Sequence, residues 1–368
     1  MNSAPSITIA QAQAVVDKHF TDPAATIVTF KQVAHGFSHT PGMTTYLLDL
    51  ALGANVEATH SSFLVVSNES EGEGEEAAAW APNALPIFPQ LISAIRSNTS
   101  IPIADPALDA SRVLLPYVYL LTPPYALTSL YLVSLPHARA TGLLTAPQLA
   151  LIDLQLGTYL GQLHAGAQND WFGRPTPANS APPPPAEPYD WQATFAPLLE
   201  ALLDAVPTPH APPLRAALAR ALAAFLFADA DTPSLVWLTG SADDVFLAFT
   251  PAGAFSAFAL LPAVPHALWG DPLLEAFFAG AGGGDADVNG GGGGGPSAAF
   301  WEGYRAARGA DTPDLLLFPR QRTKRLWYDV FLALVVLRER RGVDDDKTRW
   351  AHACLETRAA LLKDAPCN

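Results

Sequence analysis

Asp243 and Asp244 stand side by side in the stretch LVWLTGSADDVFL, Leu235 to Leu247. Paired carboxylates can hold a divalent cation or divide acid and base roles between them. Side chains of neighbouring residues in extended backbone point to opposite sides, so a polar turn is the competing reading. A second acidic run, Asp344 to Asp346, follows Arg-rich residues and does not complete a DDxxD-like metal motif, so it reads as a solvated linker. Asp271 directly precedes Pro272, a combination that starts a helix with a carboxylate cap. His266, Glu302 and Asp329 add groups able to move protons, and Trp237, Trp269, Trp301, Trp327 and Tyr328 add rings able to shape an apolar pocket. The segment GFSHTPG, Gly36 to Gly42, has too few glycines to present consecutive amides to a phosphate. No GxGxxG, Walker loop, CxxC, HExxH or GxSxG pattern occurs.

A chain of 368 residues with 49% hydrophobic and 15% charged residues can bury a large core, and its length suggests two lobes. Net charge is −14 with no Lys/Arg-rich face, so a polyanion is repelled and nucleic acid is not an expected partner. Cys354 and Cys367 are too few for a secreted disulfide scaffold. Met1 to Lys18 lacks the basic start and apolar core of a signal peptide. The most apolar windows, Val113 to Leu135 and Val330 to Leu337, are broken by Pro or too short to span a bilayer. No membrane association is expected, and the expected location is the cytoplasm.

Residue periodicity predicts a helix over Ser6–Phe20 with Thr8 as its cap, then a hairpin from Thr26–Ala34 and Thr44–Leu50. A third strand over Ser61–Ser67, a helix over Pro86–Asn98 and strands in Leu114–Leu121 and Leu130–Leu135 complete a small α+β unit. Helices follow over Pro147–Ala165, Trp191–Ala205 and Pro212–Phe227. Leu235–Phe249 and Phe255–Leu261 read as a hairpin-like pair, and helices over Phe300–Ala307, Gln321–Arg341 and Thr348–Leu362 close the chain. Asn68–Glu76, Pro182–Pro185 and Gly290–Gly295 read as surface loops.

Several segments resemble fungal phosphotransferases of the aminoglycoside phosphotransferase and choline kinase type. They are LGTYLGQLH (Leu156–His164), NDWFG (Asn169–Gly173), HALWGDPLLEAFF (His266–Phe278), FWEGY (Phe300–Tyr304) and RLWYDVFLAL (Arg325–Leu334). The hairpin AHGFSHTPGMTTYLLDL, Ala34–Leu50, looks like the glycine-containing loop over the nucleotide, and all these matches fall in family order. The resemblance implies an α+β, two-lobed protein-kinase-like fold. Residues 1–135 would be the small antiparallel-sheet lobe with one helix. Residues 136–368 would be the larger, mainly helical lobe, with an inserted β-hairpin and a Gly-rich insertion near 282–296. It also implies that His164 packs beneath the catalytic loop in a structural role.

The same resemblance marks losses. Kinase-type transfer needs a catalytic-loop Asp, an Asn and a second Asp for magnesium, and a strand Lys for the phosphates. Trp237 stands where the family has the catalytic-loop His, Thr239 where it has the catalytic Asp, and Asp244 where it has the Asn. Ala263 takes the metal-binding Asp position, and Val65 and Val66 fall where the Lys is expected; the Glu that pairs with it falls near Phe88–Gln90. Losing a positioned base costs about 10²–10⁴-fold and losing the metal's charge several kcal/mol more. The resemblance therefore implies a pseudokinase-like protein with no cofactor and no metal. Three readings stay open. The first is binding of a small, largely apolar metabolite, with Trp237, Thr239, Asp243, Trp269, Trp301, Glu302, Tyr328 and Asp329 lining the pocket. Cyclisation, dehydration or isomerisation would then run through Asp244 and His266. The second is a scaffold for a protein partner, and the third a residual small-molecule kinase.

Overall fold

A computed structural model describes residues 4–20, 24–53, 57–68, 80–126, 132–176, 189–249, 255–279, 296–309, 315 and 318–367. The expected loops at Asn68–Glu76, Pro182–Pro185 and Gly290–Gly295 lie outside the described residues or nearly so.

Helix α1 (Ile9–His19) starts where Thr8 and Gln11 exchange a capping box. Strands β1 (Ala25–Gln32), β2 (Met43–Leu52) and β3 (His60–Ser67) form an antiparallel sheet, continued by β5 (Val118–Leu121) and β4 (Ala107–Asp109). The short β6 (Tyr125–Ala126) pairs with the start of β3. Alternation places Leu64 and Val66 with Val15 and Val16 of α1, while Val65 on the other face meets Phe88, Leu91 and Ile92 of helix α2 (Phe88–Asn98). With helices on both faces, β2 and β3 are buried along almost their whole length. The strand expected over Leu114–Leu121 is shorter, because Pro116 has no N–H to give to a ladder.

Strand β7 (Leu132–Ser134) precedes the expected lobe boundary at 135, yet it pairs with β9 (Val245–Phe249), whose other neighbour is β10 (Phe255–Leu260). A two-stranded ladder joins β8 (Ser234–Val236) to β11 (Leu268–Gly270). The expected continuous strand from Leu235 to Phe249 is thus two strands with an eight-residue break, Trp237 to Asp244. Within it Leu238 takes a left-handed backbone at φ 60° and Ser241 caps a single tight turn, so the ladder cannot run through.

Helices carry the larger lobe: α3 (Leu135–Ala140), α4 (Ala146–Gly166), α5 (Trp191–Ala205), α6 (Ala211–Ala223), α7 (Ala298–Arg308), α8 (Pro319–Glu339) and α9 (Asp346–Asp364). Helix α6 stops four residues short of its expected end, where Phe225 turns left-handed at φ 54°. Helices α4 and α7 touch through glycine: a Cβ on Gly157 would lie 1.9 Å from the Phe300 carbonyl oxygen, and one on Gly303 2.0 Å from that of Leu154. Helix α8 is buried on every side from Thr323 to Val336 and is the axis around which α5, α6 and α9 pack. This is a two-lobed, protein-kinase-like architecture, with a small antiparallel-sheet lobe and a larger helical one.

Candidate functional site

The break between β8 and β9 and the β1–β2 loop, residues 33–42, meet face to face between the lobes. Ser38 Oγ donates to Asp244 Oδ1 at 2.6 Å, and the Ser241 amide donates to Asp244 Oδ2 at 3.3 Å. Burial raises the Asp244 carboxyl to about 7, against the lowering influence of the Ser38 hydroxyl and with help from the neighbouring Asp243 charge. Asp243 turns the other way, accepting from Ser241 Oγ at 3.1 Å and pairing with Lys347 Nζ at 2.9 Å. The adjacent carboxylates diverge on the tight turn that Ser241 caps. Gly36 lies so close against Asp243 that an added Cβ would come within 2.2 Å of its Oδ2.

The loop is fastened from the far end of the chain. Arg340, at the end of α8, donates to the His35 carbonyl at 2.5 Å and to the Gly36 carbonyl at 2.6 Å, and pairs with Asp345. Phe37 inserts into the helical core, 4.7 Å between centroids from the Trp350 ring of α9, with Lys347 Nζ 4.4 Å from its own centroid. Thr40 hydrogen-bonds Glu339. Asp345, expected as solvated linker, caps α9 through the Lys347 and Thr348 amides.

Under this strap the cleft is nearly filled. His35, Ser38, Thr40, Met43, Val65 and Ala263 are among the residues around a cavity of about 10 Å³, room for roughly one water molecule. Val65 and Ala263 present only methyl groups, and the Asp244 carboxylate already serves Ser38 and Ser241. Thr239 is fully buried and its Oγ1 has no hydrogen-bond partner among the described residues. Among the described residues, oxygen ligands for a hard divalent cation are not gathered here, and these residues do not fit magnesium-bound nucleotide.

Trp237 ties the break to the segment before β11: its Nε1 donates to the Ala263 carbonyl at 2.5 Å, and its ring lies where a Cβ on Gly240 would stand. Its backbone N–H donates to Glu275 Oε1 at 2.7 Å. That oxygen also lies 3.1 Å from His164 Nε2, and His164 Nδ1 lies 2.8 Å from Tyr304 Oη. His164, fully buried and held below its ordinary value by desolvation, thus packs beneath the break as a linker between α4, α7 and the loop. His266 Nε2 lies 3.5 Å from the His39 carbonyl, its ring stacks on Trp80, and burial pushes it down to about 3.

The remaining sequence candidates are elsewhere. Tyr328 donates to Asp271 Oδ2 and accepts from Trp191 Nε1, both at 2.8 Å, inside the helical core. Asp271 caps its turn through the Leu273 amide and meets Lys324 Nζ at 2.6 Å. Asp329 is fully engaged by Arg325 at 2.6 Å and Arg358 at 3.0 Å. Trp301 stacks on Phe278 at 5.0 Å, Glu302 is on the exposed side of α7, and Trp269 pairs with Gly173 across an isolated bridge. The structure brings Trp237, Thr239, Asp243, Asp244 and His266 to the cleft. Trp301, Tyr328 and Asp329 do not join them, because ring stacking, core hydrogen bonds and the Arg325 pair hold them in helix packing; Glu302 faces outward from α7, and Trp269 is held in β11 beside Gly173. Ser38, His35 and Arg340 were not singled out in the sequence. Ser38 lay in the GFSHTPG segment, but nothing marks Arg340 as its neighbour.

No protein-family model and no curated protein matches the chain. Solved structures do share its fold. A protein assigned as a fructosamine-3-kinase from Haemophilus somnus aligns at TM-score 0.53 and 11% identity, over 94% of this chain and 96% of its own. The aminoglycoside phosphotransferase APH(4)-Ia aligns at TM-score 0.51 and 15% identity, over 98% of this chain and all of its own. The fold is that of small-molecule phosphotransferases with a protein-kinase-like architecture.

Proposed function

We propose that this chain is a phosphotransferase-fold protein that no longer transfers phosphate, and that its cleft takes a small, largely apolar molecule when the β1–β2 strap lifts. The observation that carries the first half is the cleft itself, closed by Ser38 on Asp244 with room for one water; Val65, Thr239 and Ala263 stand at the positions that the resemblance assigns to phosphate and metal chemistry. The apolar lining from Met43, Val65, Phe88 and Ala263 supports the second half. With the strap lifted, Asp244, near pH 7 in its protonation balance, and neutral His266 would be the groups available for proton transfer. A purely non-catalytic role is the second reading, favoured by how completely the strap fills the cleft.

The test is a radiolabelled-ATP transfer assay with magnesium at high protein concentration, run beside thermal denaturation with and without ATP and magnesium. No transfer to aminoglycoside, choline or fructosamine acceptors and no metal-dependent rise in melting temperature are expected. A metal-dependent rise together with transfer abolished by Asp244→Ala would overturn the reading. For the second half, Arg340→Ala should increase binding of an apolar reporter dye such as ANS at the cleft. Unchanged dye binding in a folded variant argues for the non-catalytic role.

A further inference from the structure

A second cavity lies at the opposite end of β8 from the break. Its volume is about 260 Å³, and Ser234, Asp229, Asp271, Arg308, Gln321 and Lys324 contribute polar groups to its wall. Its floor is built rather than incidental. Lys324, with its side chain 3% exposed, places Nζ 2.6 Å from Asp229 Oδ1 and 2.6 Å from Asp271 Oδ2. Arg320 Nε pairs with the other oxygen of Asp229 at 3.2 Å.

Charge selects the ligand class. Asp229, Asp231 and Asp271 are balanced by Lys324, Arg308 and the neighbouring Arg320, so neither an anion nor a cation gains a net field. Phe318, the N-cap of α8, and Gln321 and Lys324 on its first turns bring three different features to the cavity wall. Phe318, 53% exposed, offers an aromatic face at the rim; Gln321 has a side-chain carbonyl that accepts no hydrogen bond from the described residues; and Lys324 supplies an ammonium. The Gln321 Nε2 donates to Asp229 Oδ2 at 3.5 Å, while its Oε1 has no partner among the described residues, so an occupant whose donor reaches that oxygen adds a bond and leaves the one to Asp229 in place. A hydroxyl is the neutral group that can give a hydrogen to that carbonyl and accept one from an ammonium. A carbon skeleton carrying several hydroxyls also offers polarised C–H groups to the negative face of Phe318.

We infer that this cavity binds a neutral, polyhydroxylated small molecule of about monosaccharide size, with its hydroxyls against Gln321 and Lys324 and its C–H face on Phe318. The site is separate from the interlobe cleft and does not depend on how that cleft is read. The probes are glucose, myo-inositol and mannitol, with gluconate as the anionic control and leucine as the zwitterionic one. Binding to the full chain is measured by calorimetry and by ligand-observed NMR. At least one neutral probe should bind saturably, with affinity at least tenfold weaker for Gln321→Leu and for Phe318→Ser, both retaining the wild-type melting profile, and unchanged for Arg340→Ala. Absence of binding by all three neutral probes overturns the inference. So does tighter binding of gluconate or leucine, or wild-type affinity in both cavity variants.

Discussion

Asp329 shows how a residue with the right chemistry can be fixed in a structural task. Both of its oxygens face guanidinium groups, Arg325 on one side and Arg358 on the other, in a core where all three side chains are buried. Arg325 goes on to hold the Leu273 and Glu275 carbonyls, the latter at 2.9 Å. Removing the shared carboxylate leaves two buried cations facing each other, so Asp329→Ala should cost about 3–5 kcal/mol of unfolding free energy. Urea denaturation measures this, and a loss below about 1 kcal/mol would place Asp329 outside the structural core. In the sequence Asp329 was a carboxylate beside aromatic residues. Nothing there told that Arg358, on another helix, would claim its second oxygen. By contrast the structural role of His164 was legible, because the helix ending in QLH resembles a family pattern that implies a histidine packed beneath the catalytic-loop stretch.

At the scale of elements the strap and the helix pair can be tested apart. Arg340→Ala removes two charge-assisted bonds to the β1–β2 loop, each worth roughly 1.5–3 kcal/mol. Hydrogen exchange of the amides from His35 to Gly42 should accelerate while α4 and α7 keep their protection. Gly36→Ala should loosen the same segment by driving its methyl into Asp243. Gly303→Ala acts elsewhere: its methyl meets the Leu154 carbonyl, so α7 must move away from α4, and a melting-temperature loss of several degrees is expected. Unaltered exchange in the first two variants would mean that the strap is not held by these contacts. Most helices and the first three strands were readable from periodicity and capping, since local pattern decides them. The break at Trp237–Asp244 was only half legible: Gly240, Ser241 and the paired aspartates are turn-forming residues, but the left-handed backbone at Leu238 that ends β8 falls on a residue type that gives no such signal. Closure of the strap was not readable, because it joins segments distant in sequence.

For the molecule as a whole, histidines set the response to acid. His35 and His39 are lowered to about 4 and His266 to about 3, chiefly by burial, and His19 and His164 shift the same way. The unfolded chain therefore binds more protons than the folded one between about pH 6.5 and 4, and stability is lost as pH falls through that window. Asp244 and Glu339, both raised, work in the opposite sense, their stabilisation fading as pH rises. Five groups outweigh two, so the urea midpoint should fall between pH 6.5 and 4.5, and Asp244→Asn should steepen the fall. A midpoint flat across that range would contradict the buried, neutral state of these histidines.

Arg340 reaches back 305 positions to His35. A ribosome releases the sheet and both walls of the cleft well before the residues that pin them together, and domains fold progressively as they emerge. During that interval the nascent chain exposes a gap that the finished protein hides. When the last two helices dock, Arg340 draws the strap down over that gap and leaves room for about one water molecule.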